Sequence, residues 1–174
     1  MKRLFTMCIM IALVIVPSLI TSCSTSFPSQ ATNTTTQYIG KINELLGRVP
    51  GDINVFSVDE LKNNTVSTLQ NISTLLTTSS SLINKYNNPE TRTDISLTEV
   101  LSAMSAYETA KTDISNLRTT WNKVNSEVKS LNANDLRNAV NTLSFIDEAL
   151  NIGQNSLNDN MQTIGNIISI LRGN

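Results

Sequence analysis

Apolar residues return every three or four positions through most of this chain, and the longest such runs repeat every seven. Val100, Tyr107, Ile114, Trp121 and Val128 form one seven-residue series, with Ala103, Ala110, Leu117, Val124 and Leu131 each three residues later. Five consecutive heptads with both seam positions apolar predict one long helix packed along its length, about 54 Å for Ser96 to Leu131 at 1.5 Å per residue. A second series, Leu136, Leu143, Leu150, Leu157, Ile164 and Leu171, keeps the same spacing almost to the C-terminus. It starts one residue late for the preceding heptads. Asn132-Ala133-Asn134-Asp135 therefore reads as a tight turn between antiparallel helices, with Asn132 or Asn134 as the cap.

Upstream, Val58, Leu61, Leu69, Ile72, Leu75/Leu76, Leu82/Ile83 and Tyr86 make a third helical stripe, thinned by Thr65, Thr68 and Ser79 and by the run Thr77-Thr78-Ser79-Ser80-Ser81. Ser57-Val58-Asp59-Glu60 predicts a capping box at its start, and Ser96-Leu97-Thr98-Glu99 predicts another before the next helix. Asn87-Asn88-Pro89 ends the stripe, because a residue before proline disfavours helical geometry. A shorter pattern, Tyr38/Ile39, Ile42, Leu45/Leu46 and Val49, predicts a first helix closed by Pro50-Gly51. The expected fold is all-α: an antiparallel bundle of three long helices plus one short N-terminal helix, with coiled-coil-like seams, over residues 37–174. The short helix is expected to cover the half nearest the Leu131–Leu136 turn. Pairing the last two helices about that turn puts Trp121 near Phe145 and Ile146, Ile114 near Gly153, and Tyr107 near Asn160. The layer around Trp121 is expected to be the best packed, because aromatic side chains bury the most area.

The first apolar run has a different character. Met1-Lys2-Arg3 is followed by apolar residues from Leu4 to Leu19, the charge-then-apolar order of a secretory signal. About 16 apolar residues fall short of the roughly 20 that a spanning helix needs, and Pro17 interrupts their end. Leu19-Ile20-Thr21-Ser22-Cys23 closes the run with an aliphatic residue, small residues and then a cysteine. This stretch resembles the lipobox of bacterial lipoproteins. The resemblance implies cleavage of residues 1–22 and attachment of a diacylglycerol and an N-acyl chain at Cys23. It also implies lodging at the outer membrane or cell surface, since Ser24 stands where an inner-membrane lipoprotein commonly carries aspartate. Residues 23–36, Ser/Thr-rich with one Pro, read as a flexible tether.

Composition narrows the chemistry. The chain has no His, and its two cysteines are Cys8, inside the signal segment, and Cys23. Ser-His-Asp and Cys-His constellations are therefore ruled out, as are zinc sites built on His or free Cys. No Gly-rich phosphate loop or calcium-loop spacing occurs, and only a carboxylate pair of the glycosidase kind is left open. The expected protein is not an enzyme and holds no cofactor beyond its lipid. Without Lys2 and Arg3 the chain has 11 basic and 14 acidic residues, so it lacks the basic face that nucleic acid requires. Asn, Ser and Thr make up about a third of the residues, and charged residues only 16%, below the usual quarter or so.

Four positions on or beside the last seam are not apolar: Asp147, Gly153, Gln154 and Asn160. They read either as a groove where a partner docks or as a polar layer fixing register, the use that coiled coils make of buried Asn. The leading functional expectation is a membrane-tethered bundle presenting a surface to a protein partner that the sequence leaves unidentified. The alternative is a periplasm-facing structural lipoprotein of an envelope or secretion assembly. Self-association through the heptads is a third, and the oligomeric state stays open.

Overall fold

The computed structural model describes residues 31–173. Four helices stand in up-down-up-down order: α1 at residues 31–46, α2 at Phe56–Asn87, α3 at Leu97–Glu127 and α4 at Ala133–Gly173. Short 3₁₀ turns at Arg92–Asp94 and Val128–Ser130 lead into α3 and out of it. At 1.5 Å per residue, α2 and α3 are each a little under about 50 Å long and α4 about 60 Å. No helix among the described residues is long and apolar enough to cross a membrane.

The core follows the heptads closely. Val100, Tyr107, Ile114 and Val124 of α3, with Val128 of the following 3₁₀ turn, are buried against Leu143, Leu150, Leu157 and Ile164 of α4 and the Val58-to-Tyr86 stripe of α2. Ile114 does meet Gly153, as the pairing about the turn requires. Trp121 does not top the packing. It is only half-buried, held by its indole N–H donating to the Leu143 carbonyl at 3.0 Å and flanked by Arg118 over its ring. Trp121 thus stays partly open to water, whereas Tyr107, deeper in the stack, is fully enclosed.

Helix ends show which local signals operate. Ser96 Oγ accepts from the Glu99 amide at 3.1 Å, and Asn132 Oδ1 accepts from the amides of Asn134 and Asp135, so both caps form as the sequence suggests. The Glu99 carboxylate does not reach back to close its box; it lies 3.5 Å from Lys85 Nζ. The Ser57 box does not form. Helix α2 begins two residues earlier, at Phe56, with Val55 in the cap position supplying the carbonyl for the first turn. Asp59 closes the entry instead, accepting from the Ile53 amide at 3.3 Å and from Lys62 Nζ at 2.7 Å.

Lys62 is the only buried ammonium among the described residues; its head lies just beneath the surface between Asp59 and Asp52, 2.9 Å away, and also reaches the Gly51 carbonyl. Burial by itself lowers its pKa, but hydrogen bonds and charges from the two aspartates outweigh that and leave it raised. The Asp59 carboxyl is held below its ordinary 3.8, chiefly by the Lys62 hydrogen bond. A depressed carboxyl stabilises the fold above its unfolded value and loses that contribution as pH falls through the folded value. A raised ammonium stabilises below its ordinary 10.5 and loses its contribution as pH climbs past that. The excess melting temperature of wild type over Lys62→Met should therefore be greatest near neutrality and shrink once pH drops below 3.8. Thermal melts of both proteins across that acid range measure it.

Hydroxyl-rich helices hold together here because the hydroxyls turn inward to their own backbone. Thr65, Thr74, Thr77, Thr78, Thr109, Thr112, Thr119, Thr120 and Thr163 each donate to the carbonyl four residues back, at 2.8–3.1 Å. This back-bonding is the usual way Thr is satisfied within a helix.

Two expectations about the N-terminal part change. Residues 31–36, assigned to the tether, are helical, and Thr35 is buried with its hydroxyl donating to Asn160 Oδ1 at 2.7 Å. Residues 23–30 of that segment lie outside the described residues. The first helix also sits elsewhere along the bundle. Thr32 meets Asn84, Tyr38 donates to Asp159 at 2.7 Å, and Arg48 pairs with Glu148 at 3.0 Å. Helix α1 thus runs antiparallel to α2 and α4, against their middle and toward the Asn88–Ile95 connector, rather than over the α3–α4 turn. There α1 buries Ile42 and Leu45 in the core, and Thr35 meets the buried Asn160.

Candidate functional site

The four polar positions of α4 split into two pairs, each seven residues apart and on different faces of the helix. Asp147 and Gln154 lie on the edge toward α3. Arg118 donates to Asp147 and, through its other terminal nitrogen, to Asn151 at 2.7 Å, while Gln154 donates to Asn158. These half-exposed contacts contribute on the order of 0–1 kcal/mol each.

Gly153 and Asn160 face the interior. A Cβ on Gly153 would stand 2.9 Å from Ile114 Cδ1 and 3.3 Å from Ile72 Cδ1, so glycine here is what lets α2, α3 and α4 close on one another. Asn160 is buried, accepting from Thr35 and donating to the Ser156 carbonyl at 2.8 Å. Tyr107 is not its partner. The Tyr107 hydroxyl instead neighbours that of Ser79, and neither makes a well-aligned hydrogen bond. Burial pushes the Tyr107 phenol up to about 12, with Ser79 pulling weakly the other way. The four residues do not converge on one groove. Asp147 ties α4 to α3 at an edge, Gln154 bonds along its own helix, Gly153 is a close approach, and Asn160 fastens α1.

Two concave surfaces among the described residues lie elsewhere, on both flanks of α2. Between α2 and α3 runs a groove of about 660 Å³ lined by Asn71, Thr74, Leu75, Thr78, Ser81, Leu82, Glu99, Ser102, Ala103 and Ala106. Between α1 and α2 lies a shallower and more polar one, of about 500 Å³, with Ile39, Thr77, Ser80, Ser81, Asn84, Lys85, Asn88 and Thr91. Ser81 borders both. The hydroxyl run Thr77 to Ser81 keeps this part of α2 low, and Ala103 and Ala106 do the same on α3. Sequence reading marked that run only as poor helix-forming sequence; its small volume was the signal for the grooves.

Chemically, the α2–α3 groove offers two leucines, two alanines, four hydroxyls and one amide, with Glu99 at its margin facing Lys85. Such a lining suits contact with a partner's side chains. Among the described residues no three of His, Cys, Asp and Glu gather where they could hold a metal ion. Tyr38, at the α1–α4 edge, has its phenol raised to about 12, first by burial and then by the hydrogen bond to and charge of Asp159. Cys23 lies outside the described residues. What the fold defines is a class: an all-α, up-down-up-down helical bundle with a polar clasp under its first helix. Family models, curated proteins and solved structures were compared with the chain, and none matches it.

Proposed function

We propose that this protein is a non-enzymatic lipoprotein, anchored through acylated Cys23 at the outer membrane or cell surface, whose bundle presents a surface to a protein partner. The observation that carries the reading is the stretch Leu19-Ile20-Thr21-Ser22-Cys23 at the end of a short apolar segment, placed eight residues ahead of a packed helical bundle. The buried polar side chains Thr35, Lys62 and Asn160 are engaged within the bundle itself. Its grooved α2–α3 flank, partly apolar and without concentrated charge, is the kind of surface that serves protein contact.

Cys23→Ser tests the anchor. The variant should fold as wild type, with unchanged helical circular dichroism and melting temperature, yet leave the membrane fraction entirely for the soluble one. Retention in washed membranes after the signal segment has been removed would contradict the proposal.

A further inference from the structure

The geometry points to a fixed polarity of the bundle on the membrane: the Asn88–Ile95 end faces the phospholipid surface, and the tip formed by residues 47–55 and the α3–α4 turn faces away. This rests on the lipid anchor at Cys23 proposed above. Eight peptide steps separate Cys23 from Ala31, and whatever path they take they span at most about 28 Å. Ala31 belongs to the packed bundle, one turn beyond Thr35, whose hydroxyl is bonded to Asn160. From Asn160 back to Ala133, α4 runs about 27 residues, or about 40 Å, and the turn from Thr35 to Ala31 adds about 6 Å.

With its α3–α4 tip on the membrane, the bundle would hold Ala31 about 46 Å above the surface, beyond the reach of an anchor about 28 Å away. A tether running to residue 36 would have permitted that inverted posture, since 13 peptide steps reach about 45 Å and residue 36 would stand only about 39 Å up. The six residues that the fold takes into α1 remove it. Lying flat would need an apolar or basic face against the lipid. The large apolar side chains exposed among the described residues do not form one: Leu97, Leu101 and Ile170 sit at one end, and Val49, Phe56 and Val140 toward the other. The standing posture puts Phe56, 79% exposed, at the outward tip.

The mature lipoprotein has no thiol besides the acylated Cys23, so one introduced cysteine can be labelled alone. Thr93→Cys reports the connector end, and Lys129→Cys the opposite tip; both positions are exposed. Each full-length lipidated variant, fluorophore-labelled, is reconstituted in phosphatidylcholine vesicles containing a headgroup-linked quencher, and attachment is measured by flotation. The inference expects loss of fluorescence at Thr93→Cys and little at Lys129→Cys. Flotation with equal or reversed quenching overturns the polarity and leaves the anchor standing. Failure to float overturns the anchor, and the polarity with it.

Discussion

Gly153→Leu should abolish the cooperative thermal transition of the bundle or lower its midpoint drastically, while Gly153→Ala should leave it nearly unchanged. The two outcomes follow from one geometry. A methyl at this position meets the Ile114 Cδ1 at 2.9 Å and the Ile72 Cδ1 at 3.3 Å, both the far ends of flexible side chains, with Leu69 Cδ2 at 3.5 Å. Small shifts of those termini can absorb it, and the gain of about 1 kcal/mol in helix propensity offsets what the shifts cost. Three further carbons have nowhere to go. Overpacking a tight core costs about 1–3 kcal/mol even where side chains can readjust, and here they would have to force α4 away from α2 and α3 together. Against a typical domain stability of about 5–15 kcal/mol, that is a large fraction. Urea or thermal melts followed by circular dichroism would decide, and a Gly153→Leu protein as stable as wild type would contradict the closeness of the three helices.

Tyr107 provides the second large effect, with opposite signs for two substitutions. Tyr107→Ala removes the largest fully enclosed side chain of the core and should cost about 3–5 kcal/mol. Tyr107→Phe keeps the ring and deletes a buried hydroxyl that lacks an aligned partner, so it should stabilise by up to about 1 kcal/mol, and more when combined with Ser79→Ala. The alkaline limb adds a check on the same group. A phenol raised from 10.0 to about 12 in the fold favours the folded state below 10.0, and that contribution is lost as pH rises through about 12. Wild type should therefore lose stability over this interval more steeply than Tyr107→Phe. The decline should not vanish, because Tyr38 is raised to about 12 as well. Trp121→Ala, by contrast, should cost less than Tyr107→Ala, since the indole is partly open to water.

Much of this fold was legible because helix packing leaves a period in the sequence. The heptads of α3 and α4 identified the seam residues, and the turn between them gave the pairing of Ile114 with Gly153. Capping was read correctly where the cap residue precedes the first turn, as at Ser96 and Asn132. It was misread at Ser57, where an aspartate two residues further in was drawn to a lysine and to the connector backbone. The polar positions of α4 were visible as interruptions, but their meaning was not. Asp147 and Gln154 look like Gly153 and Asn160 in a list of exceptions; only the angle at which each leaves the helix, and what stands opposite, separates a surface pair from a close approach and a clasp.

The sequence by itself determined the helices, their antiparallel order about short turns, and the lipobox-like stretch on which the functional proposal rests. All of these depend on local spacing, which survives without knowledge of distant partners. Tertiary structure decided that residues 31–36 belong to α1 and where that helix lies. Residues 31–36 have too few apolar side chains to announce a helix, yet Thr35 is buried, hydrogen-bonded to Asn160, 125 positions away. Tertiary structure likewise decided that the grooves flank α2. Concavity is set by the volume missing between neighbouring helices, and no single stretch of sequence contains both of its walls.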